Sequence, residues 1–295
     1  MRKTIFVFSV FFVGFLTSVG SAQQPRLSNA NVQPQALSGS LDRAMRDLSA
    51  RTGDPFWIGY AVPSANPDSQ MCCWSNGGQM TCNLEPGSTN TMNFTQNSSP
   101  LRLESGDVFF VLYRIEQGKV SRIRTFSEEC ALDASGRTVY WLTGVKPSES
   151  VSVLNGYATG VDPSTSLGAG RRTADSALSA LAMHADPTAL DTLISLARGA
   201  QNTHVRGQAL FWLAQRAGQK AVGTITDAIN NDPETEVKRR AVFALSQLPK
   251  DQGVPLLIDV ARKNANPAVR KQAIFWLGQS KDPRALKFFE EILFK

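Results

Sequence analysis

Four thiols and two imidazoles are the side chains of this sequence best suited to covalent or proton-transfer chemistry. Cys72, Cys73, Cys82 and Cys130 fall within one segment, while His184 and His204 lie well beyond it. Adjacent cysteines are a poor ligand spacing for structural zinc, and with only two histidines in the chain a four-thiolate metal site is disfavoured. An even number of cysteines in an exported segment points instead to disulfides. Pairing the two vicinal residues would strain the backbone. The favoured arrangement joins Cys73 to Cys82, closing a loop around Asn76-Gly77-Gly78, and Cys72 to Cys130; the crossed pairing stays open.

Other chemically able residues have structural explanations. His184 lies in an apolar helical stretch and His204 in a turn, where capping or partial burial is the ordinary role. Glu128 and Glu129 beside Cys130 could do acid chemistry but fit a solvated hairpin exit. Trp57, Trp74 and Trp141 could line a ligand groove, although core and disulfide packing is preferred. Phosphate loops, dinucleotide fingerprints, metalloprotease helices and nucleophile elbows do not occur. No catalytic residue, metal or cofactor is therefore assigned, and the chain is expected not to be an enzyme.

The strongest candidate surface is a basic ladder. Arg206, Lys238 and Arg270 recur every 32 residues, and Arg239 and Lys271 follow two of them. Cations at helix starts oppose the macrodipole, so something else must favour them. The preferred account pairs them with a second ladder, Asp227, Asp259 and Glu291, in neighbouring repeats. The other is an anionic partner docked along the row.

The elements that carry this ladder are legible from the same period. Ala177, Ala209, Ala241 and Ala273 form an unvarying column, with Leu181, Leu213, Leu245 and Leu277 four residues on. A second set of columns runs through Leu190, Val222, Val254 and Leu286. Each unit thus holds two apolar helical segments that cannot bury themselves alone, which predicts an α-solenoid of about four helix pairs. The column Ala180, Trp212, Ala244, Trp276 alternates small and large, so each indole is expected over an alanine of an adjacent unit. The motifs Val205-Arg206-x-x-Ala209, Val237-Lys238-x-x-Ala241 and Val269-Arg270-x-x-Ala273 resemble HEAT repeats, most of all the short variety of the phycobilin lyases. That resemblance covers about the last 125 residues and implies a binding surface or scaffold. A lyase role by analogy fits poorly, because chromophore attachment in that family is a cytoplasmic task.

Ahead of the repeats, residues 1–22 have the basic start, apolar run and small-residue exit of a signal peptide. Residues 23–39 are polar and read as a flexible lead-in. Residues 40–155 read as an α+β domain of antiparallel strands: a Ser40-capped helix, a strand at Phe56–Val62, a hairpin of Val108–Glu116 and Lys119–Phe126 with a bulge in its second arm, a strand at Thr138–Leu142 and a helix from Pro147. Residues 87–100 read as a surface loop. A linker is expected at 156–172, then repeats at about 173–204, 205–236, 237–268 and 269–295, the first an atypical cap where the two domains touch.

Of the net charge of +6, residues 171–295 supply 18 Lys and Arg against 12 Asp and Glu. That modest excess gives no continuous phosphate track, so nucleic acid is not an expected partner. The preferred reading is an exported, periplasmic or extracellular module that binds a protein or peptide, with no membrane span once the leader is removed. The alternative is an enzyme or small-ligand site in the front domain, the repeats positioning the substrate.

Overall fold

The computed structural model describes residues 25–65, 71–75, 78–85, 107–160 and 167–294. The leader reading at 1–22 and the loop at 87–100 lie outside them.

Two short strands open the described chain, β1 (Arg26–Ser28) and β2 (Asn31–Ala36), where a flexible lead-in was expected. The reason is long-range. β2 pairs in parallel with β10 (Thr138–Thr143), with Asn31 opposite Thr138 and Ala36 opposite Thr143. Pro34 is tolerated because β2 is an edge strand. Ser40 caps α1 (Leu41–Ser49) by accepting a bond from the Arg43 amide.

The main sheet has the order β2-β10-β3-β7-β8, where β3 is Phe56–Pro63, β7 Val108–Glu116 and β8 Lys119–Ser127. It is mixed rather than wholly antiparallel, since β10 runs parallel to both β2 and β3. Gln117 and Gly118, both at positive φ, make the tight turn between β7 and β8. Arg114 faces Arg122 and Ile115 faces Val120, so Ser121 is the extra residue of a bulge. The small strands β4 (Cys73–Ser75), β5 (Gly78–Met80), β6 (Cys82–Asn83) and β9 (Ala131–Asp133) complete the front region.

Alternation along the strands sends side chains to two cores. On one face Ile58, Tyr60, Val111, Tyr113 and Ile123 pack with α1 and with α2 (Pro147–Thr159). Buried within it, the Tyr60 hydroxyl bonds to those of Tyr113 at 2.8 Å and Ser150 at 2.9 Å, and burial pushes the Tyr60 phenol up to about 12. On the other face Trp57, Leu112, Phe126 and Trp141 pack with all four cysteines. Two disulfides, Cys72–Cys130 and Cys73–Cys82, fasten the small strands there. Gly59 is required where Trp141 crosses, because a Cβ would lie 2.8 Å from the indole.

Helix continues at both ends of the interval expected to be a linker: α2 runs to Thr159, with Gly160 in the left-handed C-cap, and α3 starts at Leu167. Eight helices then pair off: α3 (Leu167–Met183) with α4 (Pro187–Gly199), α5 (Thr203–Ala217) with α6 (Val222–Asn231), α7 (Thr235–Ser246) with α8 (Lys250–Lys263), and α9 (Pro267–Ser280) with α10 (Pro283–Leu293). Asp186, Asn202, Asn266 and Asp282 cap α4, α5, α9 and α10, each accepting a backbone amide two residues on.

The first repeat is fastened directly to the sheet. The Ala65 amide donates to Met183 and the Ala185 amide to Pro63, bracketing a bridge between Ser64 and His184. α3 also packs against α2 and β8, and one hydrophobic cluster runs unbroken from Leu41 to Phe288.

Candidate functional site

The basic ladder lies in register, but the acids expected to pair with it do not. Asp227 accepts from Asn231, Asp259 pairs with Lys263 and Glu291 with Arg262. The cations reach backwards instead. Arg206 donates to the Ala200 carbonyl at 2.7 Å, Lys238 to Asn230 at 2.7 Å and Arg270 to Asn264 at 2.8 Å. These carbonyls lie at the C-terminal ends of α4, α6 and α8, where the macrodipole favours positive charge. The unfavourable start of one helix is thus offset by the end of the helix before it.

Arg206 goes further. It is only 8 % exposed and holds Asp232 bidentately at 2.8 and 3.1 Å, so it offers no cation to solvent. Arg239 is shared between Glu236 and Gln272, while Lys271 is exposed. The ladder therefore knits repeat to repeat and leaves little free charge for a docked anion.

His204 bridges three helices. Its Nε2 bonds to Asp175 of α3 at 2.5 Å, and its Nδ1 faces Arg171 at 3.0 Å and Arg240 of α7 at 3.5 Å. With guanidinium donors at Nδ1, the neutral tautomer carrying its proton on Nε2 fits both contacts. His184 is fully buried, edge-on to Phe109, and burial lowers its pKa to about 4. Glu128 and Glu129 are half-buried; burial, then the neighbouring Glu129 and Asp107, raises the Glu128 carboxyl. Trp57 and Trp141 belong to the disulfide-side core, so neither lines an open groove.

The surface that sequence reasoning missed is aromatic. Phe211 and Phe243 stack with centroids 5.7 Å apart and planes 3° from parallel, and Phe243 meets Trp276 at 4.9 Å. Trp212 and Phe275 extend the row at its ends, each edge-on to its neighbour in sequence. The indoles are half-buried, each against a phenylalanine, and both pack on the cluster that holds Ala180 and Ala244. Beside the row runs a second column, Gln215, Gln247 and Gln279, in which the Gln215 amide donates to Gln247 at 3.3 Å. The signal was present in the sequence as the 32-residue recurrence of Phe211, Phe243 and Phe275. A widened apolar core face and a solvent-facing aromatic row share one helical pattern, so the sequence alone does not separate them.

Comparison with known proteins bears on the repeats. The family of HEAT repeats matches residues 222–294. That stretch runs from α6 to α10. No curated protein matches the chain. Among solved structures, the complex of CpcE and CpcF of phycocyanin lyase from Nostoc sp. PCC7120 matches at 19 % identity, over 50 % of this chain and 91 % of that one, with a TM-score of 0.36. The front region has no recognised family. The expectation that the chain is not an enzyme is withdrawn, because the solved protein it resembles is a lyase. A likeness of this depth assigns no reaction to this chain.

Proposed function

We propose that this chain is an exported interaction module whose repeats hold an extended peptide segment of a protein partner along the aromatic row of α5, α7 and α9. The observation that carries the reading is the continuous stack of half-exposed rings with a glutamine column beside it. Carboxamides both donate and accept, so they match a peptide backbone, and ring faces take apolar or cationic side chains. Export rests on the leader-like start and on the two disulfides, which persist in oxidising compartments. Among the described residues no helix is long and apolar enough to cross a membrane.

A photocrosslinking amino acid at position 243, in the intact chain recovered from the native envelope, should trap a partner. The same group at position 191, on exposed α4, should not. Phe211→Ala with Phe275→Ala should abolish the crosslink without lowering the melting temperature enough to unfold the repeats. Equal trapping at both positions, or a partner retained by the double variant, would remove the aromatic row from the account.

A further inference from the structure

β8 is the last strand of the main sheet, bonded to β7 on one side and to no strand on the other among the described residues. A groove of about 630 Å³ opens along that free side. Residues 121–125 form one wall without a gap, and Arg172, Asp175, Ser176 and Ser179 form the other. Their spacing is one stripe of α3. Side chains alone would contribute alternate strand residues; five in succession mean that the backbone edge itself borders the groove.

The charge of this groove is unbalanced. Arg114 at its floor is met by Glu85 at 3.0 Å and Glu116 at 2.5 Å, and Asp175 is engaged by His204. Among the described residues, Arg122, Arg124 and Arg172 have no carboxylate within ion-pair distance. Arg124 is held in place, its guanidinium 4.8 Å over the Phe126 ring and donating to the Asn83 carbonyl at 2.6 Å. Burial and the like charge of Arg122 lower its pKa to about 10. Charges that merely protect a sheet edge extend into water. A half-buried, positioned arginine beside a second one is instead relieved by an anion.

We propose that this groove receives an extended acidic segment of a partner protein, added as a strand to β8. Arg122 and Arg124 stand two residues apart on one face of the strand, so carboxylates at alternate positions of the incoming segment would meet them, with Arg172 opposite. The inference stands apart from the aromatic row. In the register of the repeats, Ser179 holds the place of Phe211, so the row stops where the groove begins.

The test is fluorescence anisotropy on the full chain with both disulfides intact. Three labelled peptides serve as probes: alternating Glu and Val, the same with Gln for Glu, and the Glu peptide N-methylated at every second amide. The first should bind. Replacement of Glu by Gln, N-methylation, and Arg122→Ala with Arg172→Ala should each weaken it by about tenfold or more. Among the described residues neither Arg122 nor Arg172 makes a side-chain hydrogen bond or ion pair, so the double variant should keep its melting temperature, and Phe243→Ala should bind the peptide normally. Equal binding of the N-methylated peptide would overturn strand addition. No binding of the Glu peptide, undiminished binding by the double variant, or equal competition by inorganic polyphosphate would overturn the acidic-segment site.

Discussion

The sheet and the repeats are tied together over different distances along the chain. In the front region β2 finds its partner more than 100 residues away, and the Cys72–Cys130 bridge spans 58 residues. In the repeats the defining contacts are near neighbours: Arg206 with Asp232 at a separation of 26, Gln215 with Gln247 at 32 and Arg239 with Gln272 at 33. A region of the first kind gains much from covalent closure of long loops. One of the second kind depends on each local interface in turn. The two nonetheless share one hydrophobic cluster, joined where Ser64 meets His184.

Reducing both disulfides should cost the front region the most, about 4 kcal/mol or more from the 58-residue closure alone. Chemical denaturation of a Trp212→Phe, Trp276→Phe variant, followed by the fluorescence of its remaining tryptophans and by helix signal, checks whether the loss stays on the sheet side. If the two signals fall together, the shared core makes the molecule one cooperative unit.

Arg206→Ala should cost about 3 kcal/mol, because Asp232 is left buried without its partner. Denaturant midpoints should show Arg206→Met less costly than Arg206→Ala if packing matters beside charge.

The junction has its own pH signature. His184 is neutral when folded, with a pKa near 4, whereas in the unfolded chain it titrates around the ordinary histidine value. Below that value the unfolded state binds the extra proton, so stability is full above about pH 6.5 and falls as pH drops towards 4. The loss should be about 3 kcal/mol, and His184→Gln should flatten the slope in that window in urea titrations. Smallest of all, Lys271→Ala on the exposed end of the ladder should change stability by less than about 0.5 kcal/mol.

The repeats were legible because their information is local and periodic. Alanine and leucine columns 32 residues apart report helices that touch in the fold, and the match at 222–294 falls within them. Ser40, Gln117-Gly118 and the Ser121 bulge were also readable, since capping and turn chemistry act within a few residues. Asn31–Ala36 was not, because its strand character is conferred by β10. The ladder was seen, but its partners were missed: backbone carbonyls at helix ends leave no trace in side-chain spacing. The groove was hidden for a related reason, since Arg122 and Arg172 become neighbours only when α3 lies along β8.

The position of β10 between β2 and β3 governs how the chain can be made. A ribosome releases residues 31–36 first, yet the strand that must slot in beside them ends at residue 143. Until then β3, β7 and β8 can assemble as a three-stranded intermediate whose open border is waiting for β10. Synthesis from Ser127 to Thr143 therefore leaves an interval of roughly 1 to 3 seconds, at ordinary elongation rates, in which that border is available to the wrong partner.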